Sequence, residues 1–515
     1  MKNAISKSTL RIVIVLKNLT LLATIFCLRS KGTISMALHT VEKIGGTSMN
    51  NYPAVRDNIV QITRKPTDMY QRIFVVSAYG GLTNKLLEHK KNREPGVYGL
   101  FANNDSDWQW SESLTDTAKA MREINATLFT APHLLKQADQ FITERMEGIR
   151  SCLLDLQRVC SYGHFQINEH LATVREMLAG VGEAHSAFNT ALLLQVEGIN
   201  ARFVDLTGWR EPDNLDFAEK IATVFARYDL ASEMPIVTGY TQCKEGLMQT
   251  FDRGYSEITF SKIAEVTDAR EAVIHKEYHL STADPMVVGE NNVHPIGRTN
   301  YDVADQLSLI GMEAIHPKAA KGLRKKNIPL RIKNTFEPEH DGTLITNDYK
   351  SETPRVEIIA GIPNVYAFNV FDQDMVGEPK QLLELQRLVQ EFNVPLLAQE
   401  HNANTVTFYL DTGLKVIKRI QARIERHFPH AKMNSRKVAM VSVIGSDLNV
   451  TGILARLSTS LAKKEINIMA IYQSIRQVDV RIVVAEDHYE AAIAALHYAL
   501  IESEGSATEK TLATA

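Results

Sequence analysis

The chain predicts an α/β protein: a layered domain of alternating strands and helices, followed by a smaller unit present twice. Two patterns carry this expectation. From about Val41 to Phe336, short apolar runs alternate with amphipathic stretches at helical spacing, which is how a strand-and-helix layered domain reads. In the last third, Glu391-Phe392-Asn393-Val394 recurs as Glu465-Ile466-Asn467-Ile468 with matching flanks, the mark of a duplicated supersecondary unit.

Length and composition bound the rest. At 515 residues the chain exceeds one ordinary core, so roughly two to four domains are expected. A formal net charge of -3 lacks the concentrated Lys/Arg excess of a nucleic-acid binder, which leaves small molecules as the partners. Cys27, Cys152, Cys160 and Cys243 show no CxxC spacing and cannot frame a chain this long with disulfides, so a reducing, cytoplasmic setting is expected. Ile12 to Cys27 is apolar after basic residues, like a signal peptide, but Lys17 and Asn18 interrupt it. No run of ~20 apolar residues follows, so no membrane span is expected. Residues 1–35 read as a leader outside the fold, through start-codon choice, disorder or weak targeting, and 504–515 as a disordered tail.

The first element ends in Lys43-Ile44-Gly45-Gly46-Thr47-Ser48. A lone cation beside two glycines and two hydroxyls suits an anion: glycine lets backbone N–H groups close on phosphate oxygens, and lysine supplies a point charge. By itself the hexapeptide fits a plain strand and turn better than a phosphate site. Ile73-Phe74-Val75-Val76 reads as a buried strand ending in Ser77-Ala78-Tyr79-Gly80-Gly81-Leu82-Thr83, and Pro235 to Gly239 and Ala272 to Ile274 as further strands. Loops at the carboxyl ends of such strands are where an open α/β sheet binds ligands. Thr83 to Arg175 reads as a helical excursion, with Trp108 and Trp110 as packing anchors. Asp302 to Gly311 makes one amphipathic helix through Val303, Leu307 and Ile310, and Pro317 suits the first turn of the next.

In the duplicated part, Val370 to Asp374 answers Val443 to Asp447 before a helix, and Val406 to Leu410 answers Val480 to Val484 after the shared Asn. Each unit reads strand, loop, helix, strand, strand, helix, a βαββαβ pattern. A helix after Asp447 would offer N-terminal amides to the carboxylate of a small amino acid; purely structural dimerisation fits the same pattern.

Phosphoryl transfer needs a phosphate cradle, a cation for developing charge, metal-bridged phosphates and a pocket that holds the acceptor. Lys43 and its loop, Gly182-Glu183 following a helical stretch, and the charged run Thr250 to Glu257 are candidates for all but the metal ligands. The chain contains no GxxxxGK[ST] and no GxGxxG, which argues against Walker-type ATPases and Rossmann dehydrogenases. His275 and His279 lie four apart, but with no third ligand they read as ordinary loop histidines, and no metal site is expected.

These pieces, in this order, resemble aspartate kinases of the amino-acid kinase family. Lys43 to Ser48 matches the family's K-[FI]-G-G-T-S, Val76 to Thr83 its V-S-A-x-G-G-x-T, Gly182 to Ser186 its G-E-x-x-S, and Gly239-Tyr240 its G-[FY] strand end. Phe251 to Glu257 is an altered L-G-R-G-G-S-D, Thr282 to Pro285 matches T-A-D-P, and His316-Pro317 the H-P motif; the repeat resembles paired ACT domains. The resemblance implies an amino-acid kinase-like three-layer αβα sandwich over 36–345 and two ferredoxin-like ACT domains over 360–430 and 436–503. It also implies transfer of the γ-phosphoryl group of ATP, carried with Mg²⁺, to the side-chain carboxylate of L-aspartate. Lys43, Arg253 and Glu257 would act on the reacting groups, with Arg253 on the α-carboxylate and Glu183 on the ammonium. Thr47, Ser48, Ser77, Thr83, Tyr240 and Ser256 would complete the aspartate pocket. The nucleotide would lie against Lys43, Gly45, Gly46, Glu277, Asp284, Pro285 and Glu313. An amino-acid effector would meet Asp374, Met375, Ser446, Asp447, Asn467 and Ile468, in a homodimer built through the ACT domains.

The departures from the family pattern are local. Two glycines of the L-G-R-G-G-S-D loop are replaced, its acid is longer by a methylene, the T-D-V-D-G-V-Y segment is shortened to His275 to Ser281, and Glu313 replaces a lysine. These changes resemble a divergent group associated with ectoine synthesis. The alternative they raise is a degenerate kinase that senses an amino acid as a regulatory subunit.

Overall fold

The computed structural model describes residues 38–62, 69–90, 94–103, 108–212, 214–251, 254–312 and 314–503. The leader 1–35 and the tail 504–515 therefore lie outside the described residues. Strands β1 (Thr40–Ile44), β2 (Arg72–Val76), β3 (Ala201–Val204), β4 (Met234–Thr238), β5 (Glu271–Lys276), β6 (Arg298–Asn300), β7 (Leu330–Asn334) and β8 (Thr343–Thr346) form one sheet in the order β3-β4-β2-β1-β5-β7-β8-β6. The pairs from β3 across to β7 are parallel, and β7 with β8 is antiparallel. β2 and β4 are buried at every position, as strands covered on both faces must be. The apolar runs read as strands thus sit at the centre of the sheet.

The helical excursion is present as α1 (Gln109–Leu128), α2 (Pro132–Cys160) and α3 (Leu171–Val196). Trp110 is 1% exposed and meets Phe101 edge-on at 5.7 Å, whereas Trp108 is 63% exposed; only the first is a packing anchor. Gly182-Glu183 does not follow a helix. It sits inside α3, whose residues from Leu178 to Leu192 are buried except Phe188. Further along the chain, helix α4 (Tyr255–Val266) lies against β1, and α5 (Tyr301–Leu309) begins at Asn300, whose side chain accepts the Val303 N–H at 3.0 Å. α5 is shorter than the Asp302–Gly311 reading because Gly311 takes φ 79° just past its end. Pro317 opens α6 (Pro317–Lys325) at its first turn, behind His316 as N-cap.

In the last third, β9 (Ile358–Phe371), α7 (Pro379–Gln390), β10 (Leu396–His401), β11 (Thr405–Leu410) and α8 (Leu414–Glu425) precede β12 (Lys432–Ile444), α9 (Ile453–Ala462), β13 (Ala470–Gln473), β14 (Asp479–Ala485) and α10 (Tyr489–His497). The repeat is therefore real element by element. All six strands join one sheet, β10-β11-β9-β12-β14-β13. β9 and β12 run antiparallel along their whole length, offset by a bulge between Val438 and Met440 where Asn364 takes φ 64°. Each long strand serves both units: the far half of β9 opens the first and its near half closes the second, while β12 does the reverse. A boundary between 430 and 436 cuts this arrangement, and residues 358–362 belong with the second unit. Separate cores confirm the pairing: Phe368 and Val370 pack with α7 and α8, while Ile359 packs with α9 and α10.

Among the described residues no helix is long and apolar enough to cross a membrane. Because β9 of the first unit is closed by β12, a chain ending at residue 430 should fail to fold that unit. Its amides from Val365 to Leu410 should exchange without protection in hydrogen–deuterium exchange, and protection equal to the full chain would contradict the shared-strand arrangement.

Candidate active site

β1, β2, β4 and β5 run parallel, so their carboxyl ends share one side of the sheet. The segments that leave them there touch. A Cβ added at Gly46 would lie 2.7 Å from the Ala78 carbonyl oxygen, so the loops after β1 and β2 meet backbone to backbone, an approach only glycine allows. Asn50 fastens the same pair of loops by accepting the Gly80 N–H at 2.8 Å. α3 closes on them through Gly182, whose Cβ would lie 2.7 Å from the Ala78 methyl, and through Ser186, whose hydroxyl donates to the Ser77 carbonyl at 2.8 Å. The first turn of α4 completes the enclosure with Ser256 and Glu257.

Charge is concentrated in this enclosure. Lys43 Nζ lies 3.1 Å from Glu257 Oε1, with both side chains 12% exposed, and the His316 N–H donates to Glu257 Oε2 at 2.6 Å. Burial would raise the Glu257 carboxyl, but Lys43, Lys276 and the His316 amide together hold it below its ordinary value. Strand register puts Lys43 opposite Ile274 on β5, so alternation brings Lys276 onto the same face. Ser256 Oγ donates to Glu183 Oε1 at 3.0 Å, while Glu183 Oε2 is buried with no hydrogen-bond partner among the described residues. Burial raises the Glu183 carboxyl to about 8, with Ser256 and Lys43 offsetting part of that rise. A buried carboxylate with one oxygen held and one open is prepared for a cation that is not part of the chain.

Residues 39–334 match the amino acid kinase family, and residues 441–500 match the ACT domain. The chain is 55% identical over 467 residues to "Aspartate kinase Ask_Ect" of Stutzerimonas stutzeri, covering 91% of this chain and 98% of the relative. The chain belongs to the amino acid kinase family, among its aspartate kinases. It is also 24% identical to "Aspartokinase 1, chloroplastic" of Arabidopsis thaliana, over 90% of this chain and 80% of that one. Escherichia coli aspartokinase III, solved in complex with aspartate and ADP, shares the fold at a TM-score of 0.66 and 18% identity, over 90% and 99% of the two chains.

Other residues named from the sequence of this aspartate kinase fall in different places. Thr47 is exposed beside the glycine pair, and Ser77 and Thr83 are half-buried on the loop after β2 and the short helix behind it. Gly45 donates its N–H to the His275 carbonyl at 3.3 Å, and Glu277 follows the last residue of β5. Ser48 is fully buried, its hydroxyl 3.0 Å from Thr335 Oγ1. Tyr240 is 2% exposed and donates to Glu176 Oε2. The hydroxyls of Ser48 and Tyr240 thus fasten the walls of the pocket. Arg253 and Glu313 lie outside the described residues. His275 is not a loop histidine: it belongs to β5, and its Nε2 meets Glu42 Oε2 at 2.8 Å.

Asp284 caps the turn Pro285–Val288, and the preceding Thr282 and Ala283 dock on the second ACT unit, Thr282 through His497 Nε2 at 3.0 Å. The effector set is divided too. Ser446 donates to Glu357 and accepts the Ser351 N–H at 3.0 Å, and Asp447 pairs with Lys350 at 2.8 Å. These residues clamp the segment that joins the kinase domain to the ACT sheet. The helix expected directly after Asp447 begins only at Ile453. In the first unit Asp374 is exposed and Met375 lies in the core; Asn467 is exposed and Ile468 half-buried.

Glu176 was missed in the sequence reading: its Oε1 accepts the Met248 and Gln249 N–H groups at 2.7 and 3.1 Å, and the one available signal was a carboxylate at an otherwise buried helical position. Glu183 binds a proton in the folded chain at pH values where the unfolded chain has released it, so its burial costs stability as pH rises from about 4.5 towards 8. Glu183→Gln should therefore raise Tm relative to the parent by an amount that grows between pH 5 and pH 8 and then levels. A difference independent of pH in scanning calorimetry would contradict this.

Proposed function

We propose that the chain transfers the γ-phosphoryl group of Mg²⁺-ATP to the side-chain carboxylate of L-aspartate, forming the acyl phosphate 4-phospho-L-aspartate and ADP. The observation that carries this reading is the pocket in which Glu183, with its open buried oxygen, lies close enough to Lys43 to feel its charge. One wall is suited to an amino acid's ammonium and the other to a phosphoryl group. The 55% identical relative supports the same reaction.

In this reading the acceptor needs no general base, because a carboxylate is already ionised and nucleophilic at neutral pH. What the protein contributes is position and charge. Glu183 fixes the ammonium, with Ser256 holding its other oxygen. Arg253, next to the left-handed Gly254 that opens α4, is assigned the α-carboxylate, which guanidinium forks onto. Lys43 follows the charge of the γ-phosphoryl group, released from Glu257 as the phosphate arrives. Thr47 and the Gly45-Gly46 loop border the phosphates, with Glu277 at the rim. Magnesium enters with ATP as substrate; among the described residues no cluster of three or more His, Cys, Asp or Glu could hold a metal ion. The ACT units are assigned an amino-acid effector, and the assembly a homodimer in the cytoplasm. The product is assigned to general amino-acid or ectoine synthesis.

Three measurements test the reading. Protein with ATP, Mg²⁺, L-aspartate and hydroxylamine should yield aspartyl hydroxamate, and none would defeat it. Lys43→Met should lower kcat by about 10²–10³-fold, the usual cost of losing one charge-stabilising donor, with the KM for aspartate nearly unchanged; an equal change in both would remove Lys43 from the transition state. Because the ammonium binds the ionised form of Glu183, the KM for aspartate should fall by up to about tenfold per unit as pH rises towards 8. This dependence should vanish in Glu183→Gln, and its persistence there would place the titration elsewhere.

A further inference from the structure

We propose that Glu176 is a positioning residue for the acceptor pocket: from two turns away on α3, its buried carboxylate sets the segment that brings Ser256 onto Glu183. The proposal rests on the kinase reading above and adds to its pocket a residue that touches no substrate.

The chain between β4 and α4 is laid along one stripe of α3. Near its start, the Tyr240 ring lies against Gly180, where an added Cβ would come within 2.8 Å of Cδ1, and the Tyr240 hydroxyl donates to Glu176 Oε2. Burial and the Glu176 charge raise that hydroxyl, so it stays the donor. Glu176 Oε1 then takes the Met248 and Gln249 N–H groups at 2.7 and 3.1 Å. Farther on, the Tyr255 hydroxyl donates to the Ala179 carbonyl at 3.4 Å and Ser256 donates to Glu183 at 3.0 Å. Glu176, Ala179, Gly180 and Glu183 follow the spacing i, i+3, i+4, i+7 of a single helix face, and about 10 Å of helix axis separates the two carboxylates. The segment is thus fastened at both ends to one rigid element.

A carboxylate suits the first fastening. Met248 and Gln249 lie in the first turn of the helix Leu247–Phe251, where N–H groups have no partner within the helix. Glu176, only 9% exposed, meets both of them and a hydroxyl with two oxygens. Gly246, at φ 68°, gives it room, since a Cβ there would lie 3.1 Å from Oε1. On the other side Lys318 of α6 donates to the Thr250 carbonyl at 3.0 Å and stands 4.7 Å over the Phe251 ring. Releasing the Glu176 end would loosen Ser256 and Tyr255 against Glu183, whereas Lys43 from β1 and the Ala78 amide after β2 would still face it. Glu257 keeps its own anchors, Lys43 and the His316 amide, so the loss falls on the ammonium side of the pocket and spares the phosphoryl side. With Ser256 gone, both Glu183 oxygens are buried without a donor, and its charged form is disfavoured further.

The test is the hydroxamate assay run on the full chain from pH 6 to pH 9, comparing the parent with Glu176→Ala, Glu176→Gln, Ser256→Ala and the double variant Glu176→Ala/Ser256→Ala. Glu176→Ala should move the fall in the KM for aspartate to higher pH, raising KM at pH 7 several-fold and by about tenfold for a shift of one unit. The KM for ATP and kcat at high pH should stay within about twofold of the parent. Glutamine keeps an oxygen for the two amides and an NH₂ group for the Tyr240 oxygen, so Glu176→Gln should restore the parent profile. Ser256→Ala should give the same shift as Glu176→Ala, and the double variant no more than either. If Glu176→Ala does not fold, Glu176→Asp, whose carboxylate is withdrawn by one methylene from the Met248 and Gln249 amides, should show the shift in its place. An unmoved pH profile, a glutamine variant no better than alanine, or additive shifts in the double variant would each overturn the proposal. A parent that forms no hydroxamate overturns the kinase reading and this proposal with it, whereas an active parent with unshifted variants overturns this proposal alone.

Discussion

The carboxylate of Glu42 is the charge around which the kinase sheet is built. It lies on the central strand, 4% exposed, and accepts Arg72 Nε and Nη2 at 2.7 and 2.9 Å, His275 Nε2 at 2.8 Å and the Thr40 hydroxyl at 2.9 Å. Arg72 uses its other donors on the Ile59 and Val60 carbonyls, closing the helical turn Val55–Val60 beneath the sheet. Burial alone would raise the Glu42 carboxyl, but Arg72 and His275 hold it well below its ordinary value. One carboxylate thus ties β1, β2, β5 and a covering helix. Breaking such a pair by removing one partner costs about 3–5 kcal/mol, because a buried charge is left alone. A slip of β1 by one residue would strand Glu42 on the wrong face. Since Lys43 is the next residue, the network that sets the register also delivers the lysine to the pocket.

This dependence explains which parts of the molecule could be read from the chain. β2 and β4 were legible because strands buried on both faces are apolar throughout, and the repeat because each half keeps its order of elements. The placement of Gly182 and Glu183 was not, because α3 is enclosed on nearly all sides and loses the one-sided apolar stripe that marks a helix. The shared strands were hidden for a different reason: the sequence shows β9 once, and only its pairing with β12 reveals that it belongs to both units. Among pocket residues, those whose side chains face the cleft, Lys43, Glu183, Ser256 and Glu257, follow from the type of chemistry. Ser48 and Tyr240 do not, since a hydroxyl reads the same in a sequence whether it faces a ligand or a neighbouring strand.

The join between kinase and ACT sheet is polar and buried. Glu357 accepts the Thr299 hydroxyl from β6 at 3.1 Å and the Ser446 hydroxyl from the second unit, while its own N–H donates to the Ile444 carbonyl at 2.9 Å. His497, fully buried, lies 3.0 Å from Thr282 Oγ1 and 2.8 Å from Glu502. Apolar contact reinforces both: Ile358, Ala360 and Ile444 enter the kinase core, and Ala283 enters that of the second unit. An apolar seam tolerates sliding, but hydrogen bonds to buried carboxyl and imidazole groups have one register, and displacement leaves unpaired polar atoms at about 1–3 kcal/mol each. The seam therefore favours discrete positions over continuous ones.

The longer acid at position 257 fits this construction. Glu257 stands in the first turn of α4 and must reach Lys43 on β1 with one oxygen and the His316 amide with the other. The extra methylene lets one carboxylate span the lysine and the start of α6, which holds Lys43 in place. In the proposed transfer, holding it too tightly would oppose catalysis, since the ammonium is assigned to follow the phosphoryl group. Lys276 relieves that tension. Placed by register on the same face as Lys43, it shares the Glu257 charge, so the carboxylate would stay partnered if Lys43 turned to phosphate as proposed. A pair that can be exchanged without leaving a bare charge costs little to open, and under the proposed reaction this gives a lysine positioned before substrate arrives and available once it has.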